Sequence, residues 1–258
     1  MEPTNTIKRL FGDSFNILNG LPISIQIEEV RPITNFTKAA YENKLQELME
    51  YTEKLDVKRI GFLLNAKTPY FPALSEMLKA SGFKHYASRV EVYLDLKNVD
   101  ANAPDRYEWR SLEDKNLTEE KFMSLWEQAM SGSDNAPSTL PIAEHLESVR
   151  RELGPDWKRT CNAIYEDGNA IAISMPHIEP GTIDEGRLFY FGLLPESRGT
   201  GKSAEIHRQS LGKLKEMGAS HYAGGTHRAN TKMQKVFQRN GCTVRTETES
   251  YYKTFNKK

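Results

Sequence analysis

Between Thr160 and Ile178 two runs of alternating apolar and polar residues, CNAIYE and NAIAISMPHI, meet at Asp167-Gly168. Asp-Gly between such runs signals a two-residue hairpin, whose turn needs positive φ at both central residues. One antiparallel strand pair is thereby set in a chain whose other strands are joined by helices. The sheet must then be mixed and the fold class α/β. Before the hairpin, Ile23–Val30 alternates as a half-buried strand does, and Phe36, Ala40, Leu45, Leu48, Tyr51 and Leu55 recur at helical spacing. Arg59–Leu64 reads as a strand, Tyr70–Ala80 as a helix stopped by Ser81-Gly82, and Ala87–Leu96 as another strand. After a stretch rich in Asn, Asp and Ala, Lys97–Arg106, come a strand at Tyr107–Leu112 and a helix at Glu119–Met130. A polar loop, Ser131–Pro141, leads to a charged helix at Ile142–Leu153. Beyond the hairpin follow strand Leu188–Leu194, helix Gly201–Met217, strand Ser220–Gly225, helix Asn230–Asn240 and an alternating Thr243–Tyr252.

The 258 residues suit one large domain or two modest ones, and the Lys97–Arg106 stretch suggests two, 1–100 and 106–258. Set Gly82 against Gly241 and Phe71 falls on Asn230, Leu78 on Phe237 and Tyr93 on Tyr252. Strand, long helix, strand, short helix ending in Ser/Asn-Gly, strand: both halves follow this order, so a duplicated fold is expected.

Composition narrows the partners. Lys+Arg and Asp+Glu number 35 each, so the chain is neutral, which argues against binding nucleic acid by charge. Cys161 and Cys242 are too few for a disulfide framework or a cysteine-built zinc site, and they point to a reducing compartment. The start, MEPTNTIKRL, lacks the basic-then-apolar pattern of a secretory signal, and no run of ~18 apolar residues could span a membrane. A cytoplasmic protein, without metal, nucleic acid or membrane partners and either monomeric or homodimeric, is the expectation.

Leu188–His207, LFYFGLLPESRGTGKSAEIH, is the segment that carries chemistry. A strand passes through a glycine-containing turn into a helix, which presents backbone N–H groups and a helix's positive end to an anion. Residues 195–240 hold nine Lys/Arg against three Glu, whereas 100–194 hold eighteen Asp/Glu against nine Lys/Arg. That contrast suggests an anionic ligand on one side and a cationic one on the other; two solvated faces of opposite sign would look the same. GTGKS resembles the end of a Walker A loop, but Glu196 stands where its first Gly belongs, and a carboxylate there repels phosphate.

LLPESRGTGKSAEIH followed by NTKMQKVFQRNGC resembles the GNAT superfamily of N-acetyltransferases. Arg198-x-x-Gly201-x-Ser203 is similar to its Gln/Arg-x-x-Gly-x-Gly/Ala loop, with Ser203 replacing Gly or Ala. Asn230, Met233, Phe237 and Asn240-Gly241-Cys242 are similar to its Asn-led helix, with Cys242 where Phe is common. The resemblance covers roughly residues 106–258. It implies an acetyl-CoA-dependent transfer of an acetyl group to a primary amine of a small molecule or a protein. On that resemblance Arg198, Gly199, Thr200, Gly201, Lys202 and Ser203 would hold the pyrophosphate through main-chain N–H groups. Phe191, Gly192 and Leu193 would pair with the pantetheine arm as an added strand, an N–H near Leu193 polarising the thioester carbonyl. Asn230 and Phe237 would lie beside the pantetheine and its sulfur.

In the first half the corresponding loop reads RPITN and has no glycine, so residues 1–100 are expected to be a degenerate GNAT-like half without a CoA loop. The family often has a Glu at the start of its central strand, and Arg187 holds that place. Glu185, His177 and His227 are the candidate bases. A Tyr that protonates the leaving thiolate is common in the family; Phe237 stands there. A thiol of pKa ~8.5 leaves as thiolate without much help, so catalysis survives that change. The rival reading is a non-catalytic CoA-binding protein that kept the loop and lost its acid and base.

Overall fold

The computed structural model describes residues 3–20, 24–55, 57–99, 106–134 and 141–255. They form two compact units, one of residues up to 90 with those from 246, the other of 91–245. The division falls inside two strands, β4 (Lys84–Asp95) and β10 (Thr243–Thr254). Residues 100–105, most of the Asn/Asp/Ala-rich stretch, lie outside the described ones. Composition marks linkers, whereas backbone pairing decides which strands pack together, and β10 packs with residues 59–65.

The first unit contains α1 (Pro3–Phe11), β1 (Phe15–Gly20), β2 (Ser24–Glu29), α2 (Lys38–Glu53), β3 (Arg59–Asn65) and α3 (Phe71–Ala80). Its strands lie in the order β1-β2-β3-β10-β4. β1 and β2 are antiparallel, β2 and β3 parallel, and β3 and β10 antiparallel. Thr37 caps α2 by accepting from Ala40 N–H, and Tyr41, Leu45 and Leu48 follow on one face, packed on Ile25, Ile27, Ile60 and Phe62. Ile7 and Phe11 of α1 join this core, and each fully buried side chain of this size contributes ~1.5–3 kcal/mol.

The second unit adds β5 (Glu108–Ser111), α4 (Glu119–Met130), α5 (Ile142–Leu153), α6 (Trp157–Thr160), β6 (Asn162–Glu166), β7 (Asn169–Ile178), β8 (Glu185–Leu193), α7 (Ser203–Glu216), β9 (His221–His227) and α8 (Thr231–Arg239). Its strand order is β4-β9-β8-β7-β6-β5. Asp167 and Gly168 turn β6 into β7 with φ of 50° and 79°, as the Asp-Gly signal requires. β7 is covered on both faces, which explains its continuous apolar run. Ile173 and Met175 pack with α4 and α5, while Ser174 Oγ lies 2.8 Å from Ser210 Oγ of α7.

Both halves of the sequence run through the succession hairpin, helix, parallel strand, helix, strand. β4 and β10 each have 12 residues and begin two positions after Gly82 and Gly241. Both glycines have positive φ, 85° and 78°, and end the preceding helix. The mixed α/β fold is as the strand–helix alternation predicts. Part of the loop between α4 and α5, residues 135–140, lies outside the described residues.

Candidate active site

β8 and β9 are parallel, yet they pair only at Glu185↔His221 and Gly186↔Tyr222. β8 continues to Leu193 and β9 to His227, so beyond those two pairs the strands part and leave a cleft. A β-bulge shapes its β8 side. Ser174↔Phe191 and Pro176↔Leu188 leave one residue of β7 opposite two of β8. Phe189 and Tyr190, neighbours in sequence, consequently both face Trp126 of α4, with ring centroids at 6.4 and 5.7 Å. Phe191 faces the opposite way, against His207 of α7 at 5.2 Å. Leu194 N–H donates to Ile171 O at 2.9 Å, so by alternation the N–H of Leu193 points away from β7, toward the cleft.

The parallel pair of the first unit is zipped instead. β2 and β3 pair from Ser24↔Arg59 to Glu28↔Leu63. Past that end the Glu29 carboxylate accepts from Asn65 N–H at 2.9 Å and from the Tyr70 hydroxyl. Tyr70 in turn accepts from Ile33 N–H, inside the RPITN segment, at 2.7 Å. Burial, then the Glu29 hydrogen bond, pushes Tyr70 up to about 12.

The loop between β8 and α7 stands at the surface, with Gly199, Thr200 and Gly201 exposed. Gly199 and Gly201 have φ of 77° and 82°, the left-handed region in which glycine is favoured, and a Cβ at either would meet nothing within 4 Å. Ser197 and Arg198 N–H groups are spent on Leu194 O and Pro195 O. The first helical bond of α7 is Ile206 N–H to Lys202 O, and no side chain caps its start. Among the described residues, the N–H groups from Gly199 to Glu205 have no acceptor, and they form a row at the positive end of a helix.

Several predicted cofactor residues hold this loop in place. The Arg198 guanidinium donates to Leu193 O (3.1 Å), Gly132 O (3.2 Å) and Ala129 O (3.0 Å), which ties the loop to the end of α4. Arg198→Ala is therefore expected to lower the free energy of unfolding by about 2–3 kcal/mol, measured by urea denaturation. An unchanged midpoint would show the tether to be dispensable. Thr200 Oγ1 donates to Ser197 O at 2.7 Å. Lys202 pairs with Glu166, and Lys232 with Asp134 at 3.1 Å, so part of the basic stretch is neutralised by the acidic one. Ser203 opens α7. Asn230 caps α8 by accepting from Met233 N–H at 3.0 Å, and Gly192 is packed under Tyr190, whose hydroxyl lies 2.7 Å from where a Cβ would be.

Phe237 is buried with ring contacts to His207 (5.5 Å) and Tyr222 (6.4 Å). His207 also meets Tyr222 at 5.5 Å, so its imidazole is ringed by side chains of β8, β9 and α8. Burial drives His207 down to about 3.

Each of the three candidate bases is held by neighbouring polar groups. Glu185 Oε1 accepts from Arg187 at 2.6 Å, and Oε2 lies 3.5 Å from His221 Nε2. Burial pushes Glu185 up, but the hydrogen bond and charge of Arg187, with His221 behind them, outweigh it and hold the carboxyl below its ordinary range. His177 is buried, with Nδ1 3.4 Å from Met175 O and Nε2 3.3 Å from Glu179 Oε2, both acceptors. His227 Nδ1 accepts from Ala229 N–H at 3.2 Å. Sequence spacing brought out these three and passed over His207, which the fold brings to Asn240 of the motif at 3.0 Å. The available signal was a Tyr-x-Gly in each cleft strand, Tyr190-Phe191-Gly192 and Tyr222-Ala223-Gly224. A separate cavity of about 490 Å³, lined by Arg106, Trp109, Tyr165 and Lys213, has no lining residue in the cleft.

No family model matches the chain, and no curated protein resembles it in sequence. Solved structures do resemble it in fold. A GCN5-related N-acetyltransferase from Sphaerobacter thermophilus superposes with a TM-score of 0.62 at 14% identity, over 93% of this chain and 76% of that one. A conserved protein of unknown function from Staphylococcus epidermidis gives 0.60 at 10% identity, over 90% and 84%. A GNAT-family acetyltransferase from Colwellia psychrerythraea gives 0.55 at 9% identity, over 88% and 78%. The chain has the fold of the GCN5-related N-acetyltransferases. Among the described residues no helix is long and apolar enough to cross a membrane.

Proposed function

We propose that the chain is an acyltransferase that moves an acetyl group from acetyl-CoA to a primary amine. One observation carries the reading: two parallel strands part directly before a helix whose exposed start offers an uncapped row of N–H groups. A long thioester carrier with a diphosphate at one end fits that combination. The row from Gly199 to Glu205 would bind the diphosphate. The free edge of β8 at Phe191 and Leu193 would pair with the pantetheine amides, the Leu193 N–H facing the thioester oxygen. Acetyl-CoA supplies the activated acyl group. An amine nitrogen bonds to the acyl carbon, sulfur leaves with the electron pair, and the nitrogen gives up one proton.

Glu185 and His227 both accept hydrogen bonds, from Arg187 and from Ala229 N–H, so an amine that reaches the cleft uncharged, or passes its proton to water, suits the site best. A small-molecule amine is the acceptor proposed, with Lys side chains the alternative. The sealed β2–β3 pair supports reading the first unit as a half without a cofactor cleft. A binding-only protein is the second reading, favoured by Phe237 and by the engagement of Glu185, His177 and His227. Incubation with acetyl-CoA and a panel of amines, following free thiol, tests the proposal. Thiol release that depends on one amine supports it; cofactor-dependent thermal stabilisation with no release across the panel favours the binding protein.

A further inference from the structure

β1 is the outer strand of the first unit, and among the described residues no strand pairs with its far side. Val30 N–H donates to Ser14 O at 2.9 Å, in the register that runs from Phe15↔Glu29 to Gly20↔Ser24. In an antiparallel ladder, residues bonded to the partner alternate with residues whose main-chain groups face away. Asn16, Leu18 and Gly20 therefore spend their main-chain groups on β2, and those of Phe15, Ile17 and Asn19 point outward.

Phe15 is already satisfied within the chain. Its N–H donates to Gly12 O, and its carbonyl accepts from Lys8 Nζ at 2.7 Å. Ile17 and Asn19 are left, each with an outward N–H and C=O that find no partner among the described residues. Between them lies Leu18, 47% exposed, on the face opposite to Ile17, which packs against the core. The usual guards of a sheet edge are missing beyond Lys8. FNILNG has no charged residue and no Pro, and β1 pairs with β2 without a bulge.

We propose that β1 is the surface through which two copies of this chain associate, antiparallel about a two-fold axis at Leu18. Ile17 of each copy then faces Asn19 of the other, and each such pair exchanges two N–H···O bonds. All four free groups on each copy find partners. Centring the axis on Ile17 instead would set Asn19 against Phe15, whose groups are spent. The row of donors and acceptors is thus its own complement about Leu18, which favours a second copy over an unrelated strand. At the axis the two Leu18 residues form a pair without hydrogen bonds between them, the closer antiparallel spacing, with Cα atoms about 4.5 Å apart. Each side chain covers apolar surface of the other, and neither strand brings a charge to repel its mate. The interface is small, so the association is weak, with a dissociation constant of about 10–100 μM. It stands independently of the acyltransferase reading.

Sedimentation velocity of the unaltered chain between about 2 and 500 μM tests the proposal. The average mass should climb from one chain toward two across that range. In Leu18→Lys, which sets two ammonium groups against each other, it should stay at one. Leu18 is half exposed, so this variant keeps its fold, and a urea midpoint checks that it does. Hydrogen exchange of the unaltered chain at the same two concentrations reads the register. The amides of Ile17 and Asn19 should slow by about fivefold at the higher one, with the Leu18 amide, already bonded to β2, protected at both. A chain that stays single at 500 μM overturns the proposal, and so does a dimer that Leu18→Lys leaves intact. Exchange at Ile17 and Asn19 that is equally fast at both concentrations overturns it too, whether or not the variant folds.

Discussion

Gly201→Glu is expected to lower acetyl-CoA affinity by at least ~100-fold while the protein stays folded. The new carboxylate would stand in the row of N–H groups at the start of α7 and take up the positive field meant for a diphosphate. Nothing lies within 4 Å of a Cβ at this position, so packing is not disturbed. The cost to folding comes from the backbone, since φ is 82° and an L residue pays about 1–3 kcal/mol to remain there. Gly201→Ala carries the same strain without the charge and separates the two effects. Calorimetric titration with acetyl-CoA, alongside thermal melts, reads both. If the Glu and Ala variants bind equally well, the anion is held elsewhere.

Acidification should destabilise the second unit through His207. In the unfolded chain this imidazole takes up a proton below its ordinary 6.5, whereas burial postpones uptake in the folded protein to about 3. Between those values the unfolded state binds more protons, so stability falls as pH falls, by about 1.4 kcal/mol for each pH unit. The contribution is fully present above pH 6.5 and is lost progressively toward pH 3. His207→Gln removes the titration and keeps an amide in the pocket. Urea unfolding at pH 7 and pH 5 should show the unaltered protein losing about 2 kcal/mol more than the variant. Equal losses would mean that the folded protein admits a proton at this ring.

Much of the loop between β8 and α7 was legible in the amino-acid order because glycines at 199 and 201, a preceding apolar strand and a following amphipathic helix are all local signals. The strands and helices from Glu119 onward follow their periodicities for the same reason. α1 and β1 escaped, since Ile7, Phe11 and Phe15 are too few to declare a pattern before their partners in β3 and α2 are known. The fate of the candidate bases could not be read in advance either. Arg187 is two residues from Glu185, and strand alternation puts both on one face, yet His221 comes from another strand. For His207 the deciding contact is Asn240, 33 positions away. Chemistry carried by backbone geometry shows in a short window of sequence; chemistry carried by side-chain partners emerges only when distant segments meet.

The placement of β10 between β3 and β4 has a bearing on biogenesis. Until β10 leaves the ribosome, long after β3 and β4, the first unit has two inner strands with unsatisfied edges, which invite pairing with other nascent chains. Shelter by a chaperone during synthesis, and vulnerability of the N-terminal half to any frameshift near residue 243, follow from that order of assembly.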